Sequence, residues 1–202
     1  MKTVELILDL AAPNGYLIWE PLKAIAARTG SRLHVTPVFL GGMHKLTGNA
    51  PPMVRDADVL GKVPYAALEF RRFIERHAMT RFRMHPDLPF NSILLQRILV
   101  AADGQAEMQA LVNALQPAVW ERNIDCTNQG VVREELTNAG FDAERLLEGA
   151  SQDAVKASLA ANTEAAVERG AFGIPTFFVG SEMWFGKERL EQLESYLSGG
   201  KP

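Results

Sequence analysis

Residues 13–15 suit the stabilisation of an anion. Pro13, Asn14 and Gly15 open a stretch whose apolar residues recur at helical spacing up to Gly30. The N-terminus of a helix carries unpaired N–H groups and roughly half a positive charge. Such an environment can lower the pKa of a thiol by about a unit or more and so favour the thiolate. The sequence therefore predicts a place beside Asn14 where a sulfur anion could be held.

The dipeptide Ile174-Pro175 precedes a short apolar run, residues 176–179. A cis bond at this position would turn the backbone of Ile174 outward, where its N–H and C=O could pair with an extended peptide as an added strand does. Only ~5–6% of X–Pro bonds in folded proteins are cis. From these residues alone, a trans proline at the start of an edge strand is the better interpretation.

The order of predicted elements gives the fold that must position these two segments. The patterns predict strands at residues 3–10, 33–39, 176–179 and 182–185, helices at 16–30 and from 187, a long loop at 41–64 and helices over 65–169. A strand, helix and strand in succession imply a right-handed βαβ unit. We therefore predict an α/β protein with a thioredoxin-like core (βαβ…ββα) interrupted by an all-helical insertion. The core is expected to comprise residues 1–60 and 170–202, and the insertion residues 61–169.

Composition excludes several classes of function. The chain has 202 residues, with 21 Lys and Arg against 24 Asp and Glu, so no basic excess is available for a nucleic-acid backbone. Its one cysteine, Cys126, rules out an internal disulfide, a Cys-x-x-Cys dithiol and a thiolate zinc site. We expect Cys126 to be a packed, inert residue. The four histidines show no metal-binding spacing.

The N-terminal segment predicts a cytoplasmic protein. Glu5 and Asp9 interrupt the apolar stretch that a signal peptide would need. No stretch approaches the ~18 apolar residues of a membrane-spanning helix. We therefore expect neither export nor membrane insertion.

Three segments, in the expected order, resemble one known family. They are residues 9–16 (DLAAPNGY), 47–52 (TGNAPP) and 171–190 (AFGIPTFFVGSEMWFGKERL). They are similar to the first active-site loop, the Gly-Asn-x-Pro-Pro segment, and the Phe-Gly-Val-Pro-Thr and Trp-Gly-x-Asp-Arg-Leu ending of the 2-hydroxychromene-2-carboxylate isomerases and kappa-class glutathione transferases. This resemblance implies a DsbA-like thioredoxin fold, glutathione as cofactor and a cis bond at Ile174-Pro175.

The resemblance also implies roles for particular residues. A family serine that donates to the glutathione sulfur corresponds to Ala12, and a later serine of that motif to Gly15, so both hydroxyls are missing here. Asn14 could supply an amide donor instead, although its residue type favours the role of a turn former and helix cap. Glu188 corresponds to the acidic residue that holds the γ-glutamyl ammonium, with a first-turn acid favoured by the helix dipole as the alternative.

Three further residues are candidates for binding glutathione or substrate. Asn49 matches the family motif, whereas Lys62 follows residues 53–61, which look longer than the family loop, and is expected to be solvated. Lys187 could meet a carboxylate, although a solvated surface lysine is the favoured interpretation. The arginines at 71, 72, 76, 81 and 83 lie among phenylalanines. They could bind an aromatic carboxylate or a nucleic acid, but the charged face of an amphipathic helix is favoured, because Glu69 and Glu75 lie among them.

The resemblance predicts a glutathione-dependent isomerase that acts on unsaturated aromatic carboxylic acids through reversible thiolate addition. A kappa-like glutathione transferase is the first alternative, and a non-catalytic glutathione- or peptide-binding protein is the second, because the family serine is Ala12. The expected partners are a small aromatic substrate and a second copy of the chain in a homodimer. Neither a nucleic acid nor a membrane is expected.

Overall fold

A four-stranded mixed sheet forms one layer of the fold. The computed structural model describes residues 1–201, and within them the strands are β1 (Thr3–Leu8), β2 (Arg32–Pro37), β3 (Thr176–Val179) and β4 (Glu182–Phe185). Their order in the sheet is β2-β1-β3-β4; β1 pairs parallel with β2, and β3 pairs antiparallel with both β1 and β4. The predicted thioredoxin-like arrangement is confirmed.

Helices follow β1 and β2 and fill the region between β2 and β3. They are α1 (Pro13–Arg28), α2 (Leu40–Thr47), α3 (Pro52–Arg55), α4 (Lys62–Arg76), α5 (Ile93–Val100), α6 (Gly104–Trp120), α7 (Gln129–Asn138), α8 (Ala143–Ser151), α9 (Asp153–Glu168) and α10 (Leu190–Leu197), with a 3₁₀ turn at Lys187–Arg189 before α10. No helix among residues 1–201 has both the length and the apolar content needed to cross a bilayer.

The prediction of a long loop at residues 41–64 is partly wrong. Helices α2 and α3 and the start of α4 occupy most of this segment. The glycines that suggested a loop serve packing: a Cβ added to Gly41 would lie 2.9 Å from the ring of Phe39, so glycine lets that ring cover the helix. The helices predicted over 65–169 are present except at residues 77–92, which are turns and irregular chain, and in shorter connections.

The strands and the inserted helices share one apolar core. Leu6 and Leu8 of β1 are fully buried in the same cluster as Ile98 of α5 and Leu115 of α6. Burial of such side chains stabilises a fold by about 1.5–3 kcal/mol each. This common core fixes α5 and α6 against the end of β1, where α1 begins. The division into two domains stays a prediction.

Candidate functional site

The entry to α1 leaves one backbone donor free. Ala12 is the N-cap and its carbonyl accepts from the N–H of Gly15 at 2.8 Å, whereas Pro13 has no N–H. The N–H groups of Ala11 and Ala12 both bond to Asp9, one to its side chain and one to its carbonyl. The N–H of Asn14 is therefore the donor of this first turn that remains for a ligand.

The side chain of Asn14 does not cap the helix, so that interpretation of its role is wrong. Asn14 is the second residue of α1, two positions beyond the N-cap from which a side chain would act. Its Oδ1 is buried and has no hydrogen-bond partner. The predicted contribution of Asn14 to an anion site thus comes first from its backbone N–H.

A fully buried glutamine holds the end of β1 in place below α1. Gln96 accepts from the N–H of Leu10 through Oε1 at 3.1 Å. Its Nε2 donates to the carbonyls of Leu8 and Val38, each at 2.8 Å. Gln96 thereby ties β1, the chain after β2 and the approach to α1 together. Sequence reasoning missed it, although a polar residue within the apolar run of α5 is a signal for a buried network.

Asp9 is a second buried link at the same place. Its carboxylate accepts from the N–H of Ala11 at 2.9 Å and from the N–H of Leu40 at 2.7 Å. Burial raises the pKa of Asp9 above its ordinary value, and these N–H donors, with the hydroxyl of Ser92, act in the opposite direction. The carboxyl positions the loop before α1 and the start of α2.

We expect the Asp9 carboxyl to titrate above the ordinary aspartate pKa of about 3.9. Because its folded-state pKa is raised, its contribution to stability is full below the unfolded-state value and is lost as pH rises through the folded-state value. NMR observation of the Asp9 carboxyl carbon during an acid titration measures this midpoint. A midpoint at or below the ordinary value would contradict the prediction.

The Ile174-Pro175 bond is cis, as the resemblance implied and against the trans interpretation from composition. Among residues 1–201, no hydrogen bond uses the N–H or the C=O of Ile174. The next carbonyl, that of Pro175, accepts from the N–H of Gly186 at 3.0 Å. The strand ladder of β3 therefore begins only after Ile174, and its backbone is left for an extended partner.

The two halves of the site share one apolar cluster. Ala12 and Ile174 both belong to it and are 4% and 7% exposed. The N-cap of α1 and the chain before β3 are therefore buried in the same part of the core. The methyl of Ala12 stands where the resemblance places a serine hydroxyl.

Ala12→Ser is expected to strengthen the site in two ways. The N-cap backbone already has the extended conformation that serine favours, so the hydroxyl should stabilise α1 by about 1 kcal/mol. A hydroxyl donor to bound glutathione should also lower its thiol pKa by about one unit. Thermal unfolding and the ultraviolet absorbance of the thiolate measure the two effects, with Ala11→Ser as the control. An unchanged thiol pKa would show that Ala12 does not face the sulfur.

Gly15 does not mark a second lost donor. A Cβ at this position would lie 2.9 Å from Leu8 Cδ1, 3.4 Å from the carbonyl of Asp9 and 3.7 Å from Gln116 Nε2. A side chain here would point into the interior between β1 and α6. The implied role of position 15 as a second serine donor therefore does not fit this chain.

The side-chain amide of Asn49 links the 47–52 segment to the chain that precedes Ile174. Its Nδ2 donates to the carbonyl of Phe172 at 2.7 Å, and its Oδ1 accepts from the N–H of Ala50 at 2.9 Å. Both ends of the amide are thus used within the protein. Asn49 positions the 47–52 segment against the chain that leads to Ile174, and its role in binding glutathione or substrate stays a prediction.

Lys62 belongs to a charged cluster at the start of α4. Its Nζ lies 2.8 Å from Asp56 Oδ1, and Arg55 lies 2.7 Å from the other carboxylate oxygen. These two cations hold the pKa of Asp56 well below its usual range. Lys62 is half-exposed, in agreement with the solvated interpretation, and its role in binding stays a prediction.

Lys187 and Glu188 lie at one end of a cleft between α1, α4 and α10. The cleft has a volume of about 670 Å³. Lys187 is only 6% exposed, so its assignment as a solvated surface lysine is wrong. Its ammonium pairs with Glu188 and lies 5.6 Å from the ring of Phe73, while about half of the Glu188 side chain remains exposed.

Two of the three arginines of α4 are paired with acids, which agrees with the amphipathic-helix interpretation. Arg72 pairs with Glu69, and Arg76 lies 3.3 Å from Glu191 on α10. Within α4, no residue is fully buried. Arg72 and Arg76 nevertheless line the same cleft as Glu188, so α4 provides a charged side of this cleft.

Cys126 is buried, and burial raises the pKa of its thiol to about 12. The thiol is therefore protonated at neutral pH and is a poor nucleophile. The predicted inert role is confirmed by this environment. Any thiolate at the entry to α1 must come from a ligand.

Comparison with known proteins identifies a family and several relatives of this chain. A family model described as a DSBA-like thioredoxin domain matches residues 3–198. The chain is 28% identical over 198 residues to 2-hydroxychromene-2-carboxylate isomerase of Sphingobium xenophagum, covering 97% of this chain and 98% of that one. It is 29% identical over 218 residues to glutathione S-transferase kappa 1 of Homo sapiens, with 99% and 92% covered.

Solved structures agree with this grouping. A structure of selenomethionine 2-hydroxychromene-2-carboxylate isomerase superposes with a TM-score of 0.82 at 27% identity, covering 96% of this chain and 94% of that chain. A probable DsbA oxidoreductase from Streptomyces coelicolor has a TM-score of 0.73 at 20% identity, covering 100% and 92%, and supports the fold alone. The resemblance read from the sequence motifs is confirmed.

Proposed function

The chain belongs to the DsbA-like thioredoxin-domain family, and from this premise we propose that it is a glutathione-dependent isomerase of the 2-hydroxychromene-2-carboxylate isomerase type. The proposal is carried by two observations: the N–H and C=O of Ile174 and the N–H of Asn14 have no partner in the protein, and Ala12 and Ile174 belong to one apolar cluster. A peptide thiol needs both features: an edge for its backbone and a donor for its sulfur. The relatives' names support the choice of glutathione as that peptide.

The residues present fit glutathione at three points. The backbone of Ile174 can receive the cysteinyl amide and carbonyl as one added strand pair. The N–H of Asn14 and the dipole of α1 favour negative charge at the sulfur. The half-exposed carboxylate of Glu188 lines the cleft, where it pairs with the buried Lys187 and could also receive an ammonium group.

Bound glutathione would supply a thiol able to add reversibly to an unsaturated aromatic acid. The chain's own contribution is position and electrostatics. The Gln96 and Asp9 hydrogen bonds fix the loop from which the Asn14 N–H projects. Ala12 and Ile174 are buried members of one apolar cluster and would offer apolar surface near the sulfur position. A fixed donor in a site with little water stabilises charge more strongly than the same donor in solvent.

A kappa-like transferase and a non-catalytic binding protein are the alternatives. The missing hydroxyl at Ala12 favours the non-catalytic candidate, because one donor to the sulfur is absent. The Asn14 N–H is the feature that favours retained thiolate stabilisation. The cytoplasmic location and the homodimer remain proposals, the second of which light scattering can test.

Calorimetric titration with glutathione, followed by product analysis, separates these functions. We expect saturable binding and interconversion of 2-hydroxychromene-2-carboxylate with its ring-opened form at constant glutathione concentration. Consumption of glutathione would favour the transferase, and binding without turnover would favour the non-catalytic protein. An absence of heat at millimolar glutathione would contradict both enzyme functions.

A further inference from the structure

Three charged side chains between α3 and α4 form a compact group that we call the Asp56 cluster: Arg55, Asp56 and Lys62. Arg55 donates to both carboxylate oxygens of Asp56, from Nε at 2.8 Å and from Nη2 at 2.7 Å. Lys62 Nζ lies 2.8 Å from Asp56 Oδ1. Among the ion pairs of residues 1–201, no other acid pairs with two cations.

The Asp56 cluster carries a surplus positive charge. The two cations hold the pKa of Asp56 well below its usual range, so one negative charge faces two positive ones at neutral pH. Burial, and then the charge of Arg55, lower the pKa of His44, so its imidazole is neutral at pH 7. Asp58 is exposed and pairs with neither cation. One positive charge of the cluster is therefore left for a ligand.

Both cations keep hydrogen-bond donors that the protein does not use. A guanidinium has five N–H donors and an ammonium has three. Arg55 gives two to Asp56 and one, from Nη1, to Asn49 Oδ1 at 3.5 Å, which leaves one on each terminal nitrogen. Lys62 gives one to Asp56 and retains two. The side chains of Arg55 and Lys62 are about half-exposed, so a carboxylate from solvent can reach these donors.

Contacts connect the Asp56 cluster to the chain that precedes Ile174. Arg55 contacts Asn49, and Asn49 Nδ2 donates to the carbonyl of Phe172 at 2.7 Å. Phe172 lies two residues before Ile174, whose backbone has no partner in the protein. A ligand carboxylate at the cluster would therefore adjoin the segment proposed to receive glutathione.

Exposed apolar residues precede and follow the cluster in the chain. Met53 and Val54 of α3, and Val59 and Leu60 before α4, are each more than half exposed. Large apolar side chains grouped on a surface often mark a place where a ligand or partner binds. They favour a carboxylate carried on an apolar body. An aromatic acid has such a body, whereas the glycyl end of glutathione has one methylene on a polar backbone.

We propose that the Asp56 cluster binds the carboxylate of the aromatic acid, with Arg55 as the residue that determines specificity for the acid. Arg55 and Lys62 each donate to the ligand carboxylate, and Asp56 keeps the two cations side by side. This inference rests on the proposed function in one respect: the acid would be the second substrate of the glutathione site. Arg55 lies outside the three segments that carry the family resemblance.

Titration with trans-cinnamate and with cinnamamide, in the absence of glutathione, tests the proposal. The two probes share the unsaturated aromatic body, and only cinnamate is an anion. We expect cinnamate to shift the backbone amide resonances of residues 53–60 along a saturable curve, and Arg55→Gln to weaken its binding about five- to tenfold. Cinnamamide affinity should change by less than about twofold. An absence of saturable shifts, or equal binding of the two probes by the wild type, would overturn the proposal.

Arg133→Gln is the matched control. The side chain of Arg133 is 43% exposed, as is that of Arg55, and its Nε lies 2.6 Å from Glu144 Oε1. Arg133 belongs to α7, so its replacement makes the same change in net charge away from the cluster. We expect cinnamate affinity to stay at the wild-type value. An equal loss in both variants would show that net charge, not Arg55, attracts the acid.

Calorimetry with glutathione and with its glycyl monoethyl ester separates this inference from the proposed function. Arg55→Gln should bind glutathione within about twofold of wild type. If it weakens glutathione but not the ester, and leaves cinnamate unchanged, Arg55 binds the glycyl carboxylate and the proposal is wrong while the glutathione site stands. Cinnamate binding through Arg55 in a chain that never binds glutathione would support the carboxylate subsite and contradict the proposed function.

Discussion

Gln96→Leu is expected to lower the free energy of unfolding by about 2–6 kcal/mol. The substitution leaves the N–H of Leu10 and the carbonyl of Val38 buried without their partner, whereas the carbonyl of Leu8 still accepts from the N–H of Val38 at 3.0 Å. Each buried polar group left unpaired costs roughly 1–3 kcal/mol. Leucine has nearly the right volume, so a cavity adds little to the loss.

Denaturant unfolding measures this effect. Gln129→Leu is the control, because Gln129 is exposed at the start of α7 and such substitutions usually change stability by less than about 0.5 kcal/mol. Because Gln96 fixes the approach to α1, glutathione affinity should fall as well in any fraction that remains folded. Equal stability of the two variants would show that the Gln96 bonds are not needed to hold the end of β1.

Glu188→Gln is expected to weaken glutathione binding about tenfold. It removes the negative charge proposed to face the ligand's ammonium, and a hydrogen bond between charged groups contributes about 1.5–3 kcal/mol before solvent screening at this half-exposed position. Glutamine keeps the size and the acceptor oxygen. Calorimetric titration gives the affinity ratio.

Glu191→Gln is the matched control for the charge of the cleft. Glu191 lines the same cleft on α10 and lies 3.3 Å from Arg76, but its side chain is mostly exposed. Thermal unfolding of Glu188→Gln must be followed alongside, because the substitution also removes the partner of the buried Lys187. Equal glutathione affinity in both variants would remove Glu188 from the binding site.

Local patterns in the sequence were sufficient to predict the strands of the sheet and the helices that flank it. The apolar run after Thr3, the proline at the start of α1 and the Gly180-Ser181 turn each act over a few residues, and the structure has the predicted element in each place. The cis bond at Ile174 was foreseen only through the family resemblance. The local residues alone favoured a trans bond, because they do not indicate which segments pack around the start of β3.

Long-range contacts account for what the sequence did not reveal. Gln96 bonds to residues 86 and 88 positions away, and such pairings leave no local signature. Gly15 was taken as a lost serine, but its missing Cβ faces Leu8 and Gln116. Lys187 follows a strand and looked solvated, whereas packing against α4 buries it. Each case depends on which elements meet in three dimensions.

Titration with glutathione, monitored through the backbone amide resonances of Ile174 and Asn14, tests whether one tripeptide binds at both residues. We expect both amides to shift along one saturable curve, since one tripeptide would accept from both N–H groups at once. We also expect that the amide of Gln129, remote on α7, does not move. Saturable binding that leaves Ile174 and Asn14 unperturbed, or no binding at millimolar glutathione, would contradict this expectation.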